Sequence, residues 1–336
     1  MEKFNPKNER IKYRYRIFLA RVKKKDEKTW FAIMKHLKDF ETFINFAGFE
    51  SLNETIINNY IEHLLNKDLS LSHVDHNIKA LKAFYTWLER QKGYKSKIDY
   101  NILEFFNLSA NQRKQARATE YKESYEIEEI YSAIRNMPDK TIFDRRNKAI
   151  ISLQALCGLR VSELRTIRIK NLIYDKQSQN WMIYVNPKDM DVKFAKIRHA
   201  FFMPFDNDIK TIVLNWKEEL EKLGFSDKDP LFPAIPSQFN QLNLLNSKLQ
   251  KEFIKSNTTI REVFKRAFLA VNLKYIRPHN FRHTIVRWAE TQSPQFFNAV
   301  SQSLGHSDIK TTFQAYGSLT PAAIGVIMKN TNNDLF

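Results

Sequence analysis

Cysteine and long apolar runs are what this chain has least of. Its single cysteine, Cys157, excludes an internal disulfide, and no Cys/His cluster has the spacing of a structural zinc site. A reducing cytoplasm fits that usage. No apolar run approaches the ~20 residues that cross a bilayer. The polar start Met1-Glu2-Lys3-Phe4-Asn5 does not read as a signal peptide, so no membrane partner is expected. Internal repeats and low-complexity segments are missing too. Acidic side chains are in deficit: 37 Asp and Glu stand against 54 Lys and Arg, a net charge of +17.

That excess is spread along the chain. Residues 1–118 carry 23 basic and 14 acidic side chains, and residues 119–336 carry 31 and 23. A disordered basic arm would have concentrated it. A hydrophobic content of 43% excludes wholesale disorder, and 336 residues favour two domains over one. Two basic folded domains suit a polyanion held between them, each phosphate contact releasing counterions. The plain alternative is a coding bias towards Lys, Asn and Ile.

The first third reads as helices. Trp30, Phe31, Ile33, Met34, Leu37, Phe40, Ile44 and Phe46 recur near helical spacing, with Gly48 as a C-cap. Ser51 or Asn53 caps a segment carrying Ile57, Tyr60, Ile61 and Leu64. A third helix starts near Ser70 or Ser72 and carries Val74, Ile78, Leu81, Phe84 and Leu88. Lys79 and Lys82 lie off its apolar stripe, where they could face phosphates or simply water. From Ser109 to Lys122 the apolar pattern stops. Arg113, Lys114 and Arg117 there suit an interdomain linker, or one lying along a duplex.

Helices are then expected around 126–136 and 143–156. Two strand-like runs follow, Trp181–Val185 and Ala200–Met203, joined by a basic hairpin tip containing Lys188, Lys193, Lys196 and Arg198. Asp206 caps a helix stopped by Gly224, and further helices are expected near 241–255, 259–270 and 281–290.

Three short motifs carry chemistry. In Gly158-Leu159-Arg160-Val161-Ser162-Glu163-Leu164, Arg160 lies among apolar residues and needs a partner, which Glu163 can supply one helical turn on. Such a pair either fixes the helix or orients a guanidinium towards a phosphate. His279 and Arg282 share one face at a helix start after Pro278, where free N–H groups favour anions, with His283 as a competitor. The plain reading is a capping histidine beside a solvated arginine. Leu304-Gly305-His306 is followed ten residues on by Tyr316, either an aromatic plug or a nucleophile. A phenol has a pKa near 10, so as a nucleophile it needs cations and a proton path.

Each motif is weak alone. Their order and spacing resemble the tyrosine recombinase (phage integrase/Xer-like) family. The resemblance covers nearly the whole chain, and its specific motifs lie between Glu120 and Leu319. It implies a mainly α fold with a small β-sheet or hairpin in the catalytic domain, arranged as a two-domain C-shaped clamp around DNA. The implied domains are a helical core-binding domain over 1–110, a basic linker over 111–122, a catalytic domain over 123–320 and a tail over 321–336 that docks in trans or packs on its own domain.

By the same resemblance Arg160 and Arg282 hold the scissile phosphate. His279 handles the tyrosine proton or donates to the phosphate, His306 hydrogen-bonds it, and Tyr316 attacks to form a 3′-phosphotyrosyl link. The family's leaving-group acid is a hairpin lysine, for which Lys188 and Lys193 compete. Lys188 is closer to the family's spacing, and neither sits in the Gly-Lys-Gly pattern common in Xer proteins. The step from His306 to Tyr316 is one residue longer than the common Xer step, and no other tyrosine follows. Lys79, Lys82, Arg113, Lys114, Arg117 and Lys193 are the expected DNA contacts. No metal or cofactor is implied. The implied partners are double-stranded DNA with inverted-repeat sites and further copies of the chain, a dimer on a site and a tetramer in synapsis. Alternatives are a non-catalytic DNA-binding protein on the same fold, or a topoisomerase- or resolvase-like relative.

Overall fold

Among the described residues, apolar side chains gather into one core in Met1–Ala118 and, in Thr119–Phe336, into a main core and a smaller cluster around Ile285, Val286, Phe297 and Leu304. The structure is a computed structural model that describes residues 4–117, 123–193, 196–235 and 249–305.

The first unit is helical: α1 (Pro6–Ile17), α2 (Glu27–Phe43), α3 (Glu54–Leu65), α4 (Leu71–Glu89) and α5 (Ala110–Arg117). Side-chain oxygens of Asn5, Asp26, Asn53 and Ser70 cap the first four by accepting from orphan N–H groups. Leu37 and Phe40 of α2, Ile57 and Tyr60 of α3, and Leu81, Phe84 and Tyr85 of α4 are at most 1% exposed. Gly48 is not the C-cap of α2. The chain turns earlier, with Asn45 and Phe46 at φ 52° and 61°, and Gly48 instead precedes a short 3₁₀ turn.

The basic stretch expected to be a linker is helical over Ala110–Arg117. Its start is a reciprocal box: Gln112 N donates to Ser109 Oγ at 3.2 Å, and Ser109 N donates to Gln112 Oε1 at 3.0 Å. That pattern nucleates a helix without an apolar stripe, and α5 packs on α4.

The second unit contains α6 (Ile127–Asn136), α7 (Ile142–Cys157), α8 (Val161–Thr166), β1 (Leu172–Asp175), β2 (Asn180–Val185), β3 (Arg198–Phe201), α9 (Asn207–Lys222), β4 (Pro233–Ala234), β5 (Gln250–Phe253), α10 (Asn257–Leu269), α11 (Phe281–Glu290) and α12 (Pro294–Ser303). The architecture is mainly helical with two small antiparallel sheets among the described residues. Helix α7 is buried along most of its length, including Ser152 and Gln154, and packs on α9. Strands β1-β2-β3 pair with Leu172 opposite Ile183 and Val185 opposite Arg198. Ile183, Val185 and Ala200 point into the core at 0% exposure.

Three local expectations change. β1 adds a third strand to the expected hairpin. β3 begins at Arg198, so that residue is strand and not tip. Gln250–Phe253, expected to be helical, pairs with β4 instead. The rest of that expected helix, 241–248, lies outside the described residues; Phe253 is covered by the Arg168 guanidinium at 4.8 Å. No helix among the described residues is long and apolar enough to cross a membrane.

Glu290, at the end of α11, is half-buried, and burial pushes its carboxyl up to about 7 against the opposing charge of Arg287. A folded-state pKa above the unfolded one stabilises at low pH, and that contribution is lost as pH rises through about 7. Glu290→Gln should therefore raise Tm relative to wild type at about pH 8 and not at about pH 4. Thermal melts followed by circular dichroism at both pH values check this; an equal offset at both would refute it.

Candidate active site

Helix α7 ends at Gly158 because the next turn requires a left-handed residue, φ 54°. A Cβ there would lie 2.9 Å from Ile285 Cδ1 and from Leu304 Cδ2. The turn delivers Arg160 to the start of α8 in extended conformation. Glu163, in the first turn of α8, accepts from Arg160 N at 2.8 Å and from Arg160 Nη1 at 3.1 Å. The pair expected from the sequence exists, but it is part of something larger. Arg198 donates Nη1 and Nη2 to the two Glu163 oxygens at 2.9 and 2.7 Å, and its Nε to Ser303 O at 3.1 Å.

The carboxylate of Glu163 is fully buried. Burial pushes it up, but the hydrogen bonds and charge of Arg198, followed by Arg160, outweigh that and hold it below the usual carboxylate range. It therefore stays ionised between two guanidiniums. Arg198 is 5% exposed at its side chain and Arg160 is 20% exposed, so Arg160 is the member that can reach a ligand.

Arg282 approaches the same turn from α11. It is 0% exposed, donating Nη1 to Gly158 O at 2.8 Å and Nη2 to Leu304 O at 2.6 Å. Its position thus joins the turn before Arg160 to the end of α12. Gln154, buried on α7, donates to both Leu159 O at 2.9 Å and Pro278 O at 3.1 Å. That bond ties the Arg160 turn to the 3₁₀ turn Pro278–Asn280, which presents an exposed His279. Tyr125 braces the approach to that turn: its hydroxyl donates to Lys274 O at 2.8 Å and accepts from Ile276 N at 2.7 Å. His283 is buried on α11, its ring edge-on to His279 with centroids 6.0 Å apart, so His279 is the histidine of the two that faces outward.

Lys188 and Lys193 both lie on the β2–β3 connection with exposed side chains. Acidic neighbours on that connection are engaged elsewhere, Asp189 with Lys170 at 2.6 Å and Asp191 with Arg165 at 3.4 Å. Asp191 N also donates to Thr166 Oγ1 at 2.8 Å, anchoring the connection to the end of α8. His306, Tyr316 and the tail after 320 lie outside the described residues.

In the first unit, Lys79 pairs with Asp75 at 2.5 Å and Lys82 with Glu104 at 3.0 Å. Both also line a cavity of about 830 Å³ with Lys23, Lys25 and Arg90 around Phe18 and Trp87. Arg113 and Lys114 are exposed on α5, and Arg117 is its last residue.

Arg198, Gln154 and Tyr125 escaped the sequence reading. Gln154 did carry a signal, a lone amide within the apolar run Ile150–Cys157. Arg198 was masked by its basic neighbours.

The sequence profile of the phage integrase family matches residues 121–322. The chain belongs to this family. It is a tyrosine-type site-specific recombinase, an enzyme that breaks and rejoins DNA strands. A probable integrase/recombinase of Aquifex aeolicus (strain VF5) is 26% identical over 292 residues, 84% of this chain and 87% of that one. The tyrosine recombinase XerC of Staphylococcus epidermidis (strain ATCC 12228) is 23% identical over 304 residues, 88% of this chain and 89% of that one. The crystal structure of a dimer of lambda integrase residues 75–356 bound to a COC′ core site shares the fold, with a TM-score of 0.61 at 13% identity over 92% of this chain and 94% of that one.

The turn at Gly158 is a sharp point of failure for this recombinase. Gly158→Ala should cost about 1–2 kcal/mol for the left-handed backbone alone, plus the displacement of Ile285 and Leu304. Urea unfolding measures the loss; a variant as stable as wild type would show that the turn tolerates a side chain.

Proposed function

We propose that this recombinase cleaves each DNA strand by attack of the Tyr316 phenol on a phosphate held by Arg160, with Arg282 buried behind it and fixing the turn that presents Arg160. The observation that carries the reading is the placement of Arg282. Its two terminal nitrogens join Gly158 O, two residues before Arg160, to Leu304 O, two residues before His306. The first motif, more than a hundred residues before the other two, is thereby brought against both of them, and the sequence continues from Leu304 to His306 and Tyr316.

In this mechanism the tyrosine oxygen forms a bond to phosphorus while the 5′-oxygen leaves. A 3′-phosphotyrosyl link and a 5′-hydroxyl result. His279 takes the phenol proton or donates to the phosphate, His306 donates to a non-bridging oxygen, and Lys188 gives a proton to the leaving oxygen. A 5′-hydroxyl from a partner strand reverses the step. The phosphoester is conserved throughout, so no ATP is consumed. Preorganised donors of this kind are each worth about 3–4 kcal/mol of transition-state stabilisation. The partner is a duplex with inverted-repeat sites, occupied by a dimer that pairs into a tetramer. The lysines and arginines of the first unit, with Arg113, Lys114 and Arg117, contact its backbone. The shared excess of positive charge supports this.

A binding duplex selected from a random-sequence library by repeated gel shift supplies the substrate, and a nick beside the cleavage point traps the adduct. Tyr316→Phe should bind that duplex with wild-type affinity and form no covalent adduct on denaturing gels. An adduct of normal yield from this variant would remove Tyr316 as nucleophile.

The acid can be identified separately. Lys188→Ala should slow cleavage by about two to three decades, and a sulfur in place of the 5′-bridging oxygen should restore it, since a thiolate leaves without a proton. If Lys193→Ala shows that pattern and Lys188→Ala does not, the roles are exchanged.

A further inference from the structure

Arg198 has no part in the chemistry above, yet its side chain makes two bonds to Glu163 where the Arg160 side chain makes one. It opens β3 opposite Val185 and so ends the connection that carries Lys188 and Lys193. Its terminal nitrogens cover both oxygens of Glu163 at 2.9 and 2.7 Å, whereas the Arg160 side chain reaches that carboxylate through one bond of 3.1 Å. The backbone closes over Arg198 as well, since a Cβ on Gly305 would lie 2.7 Å from its Cδ.

We propose that Arg198 is a positioning residue for phosphate binding: by taking both oxygens of Glu163, it prevents that carboxylate from neutralising Arg160. The inference rests on the reading of Arg160 as a phosphate ligand. A buried carboxylate facing a single arginine forms a two-bonded fork with it. Such a pair has no net charge, and it would turn the N–H donors of Arg160 away from the substrate. With Arg198 present, two cations share one anion. One positive charge is left over, and it resides on Arg160, the more exposed of the two. Arg198 also holds Ser303 O at 3.1 Å, so a purely structural part, stapling the end of α12 to the sheet, has to be separated from the electrostatic one.

Removing the carboxylate separates them. The measurement is the single-turnover rate of adduct formation by the full chain, with enzyme in excess, on the selected nicked duplex. Melting temperature and duplex affinity are recorded for each variant. Arg198→Met should bind the duplex and cleave about a hundredfold more slowly, the usual effect of losing one aligned donor. Adding Glu163→Gln to Arg198→Met should recover at least about tenfold of that rate, because no anion is left to capture Arg160. A staple alone predicts no recovery, since Ser303 O stays unheld in both variants. A double variant no faster than Arg198→Met, or Arg198→Met at the wild-type rate, overturns the proposal. Should Arg198→Met not fold, Arg198→Lys keeps a charge without the fork, and Glu163→Gln should speed it too; no gain overturns the proposal equally. A wild-type chain that forms no adduct overturns the phosphate reading and this inference with it.

Discussion

One ionised carboxylate, Glu163, lies buried between two guanidiniums, and the arrangement of the site depends on it. Burying a charge is costly unless it is paired and fully hydrogen-bonded. Glu163 meets that condition with four bonds: the backbone N–H and side chain of Arg160, and both terminal nitrogens of Arg198. These come from two places far apart in sequence, the α7–α8 turn and the first residue of β3. The carboxylate therefore fixes the sheet to the turn that presents Arg160. It also leaves a local excess of positive charge, which suits a site that receives a phosphate.

The same principle organises the end of α12. A helix C-terminus exposes carbonyls with no partner within the helix and carries partial negative charge. Here Arg198 holds Ser303 O and Arg282 holds Leu304 O. Two buried cations thus pin the residues immediately before His306. The end of α12 is thereby fixed both to β3 and to the turn at Gly158. Gln154 and Tyr125 do comparable work on the other side, fixing the approach to His279 through backbone carbonyls and amides.

Much of the fold is legible in the sequence. The stripes of α2, α3, α4 and α9 are strong period signals, and Asn53, Ser70 and Asp206 are the caps that the sequence suggested. The Arg160–Glu163 pair was legible because both partners lie within one helical turn. Misreadings fell where a local pattern was short or its partner distant. Residues 110–117 lack an apolar stripe, so the Ser109–Gln112 box that starts their helix passed unnoticed. Gln250–Phe253 has no β-branched residue and becomes strand through pairing with Pro233–Ala234. Arg198 looked like one more lysine-rich tip residue, since its partners lie 35 and 105 positions away.

By itself the sequence determined the family, because residue types in a fixed order carry the resemblance: two arginines, two histidines and a tyrosine. It also determined most helices, because helical hydrogen bonds and stripes are local. Only the tertiary structure decided which cations are buried and which is presented. Arg160, Arg198 and Arg282 are identical side chains, and nothing local separates the one-fifth exposed Arg160 from the buried pair. That distinction depends on which carbonyls and carboxylate each guanidinium meets once distant segments have packed, and on the high cost of leaving any of them unmet.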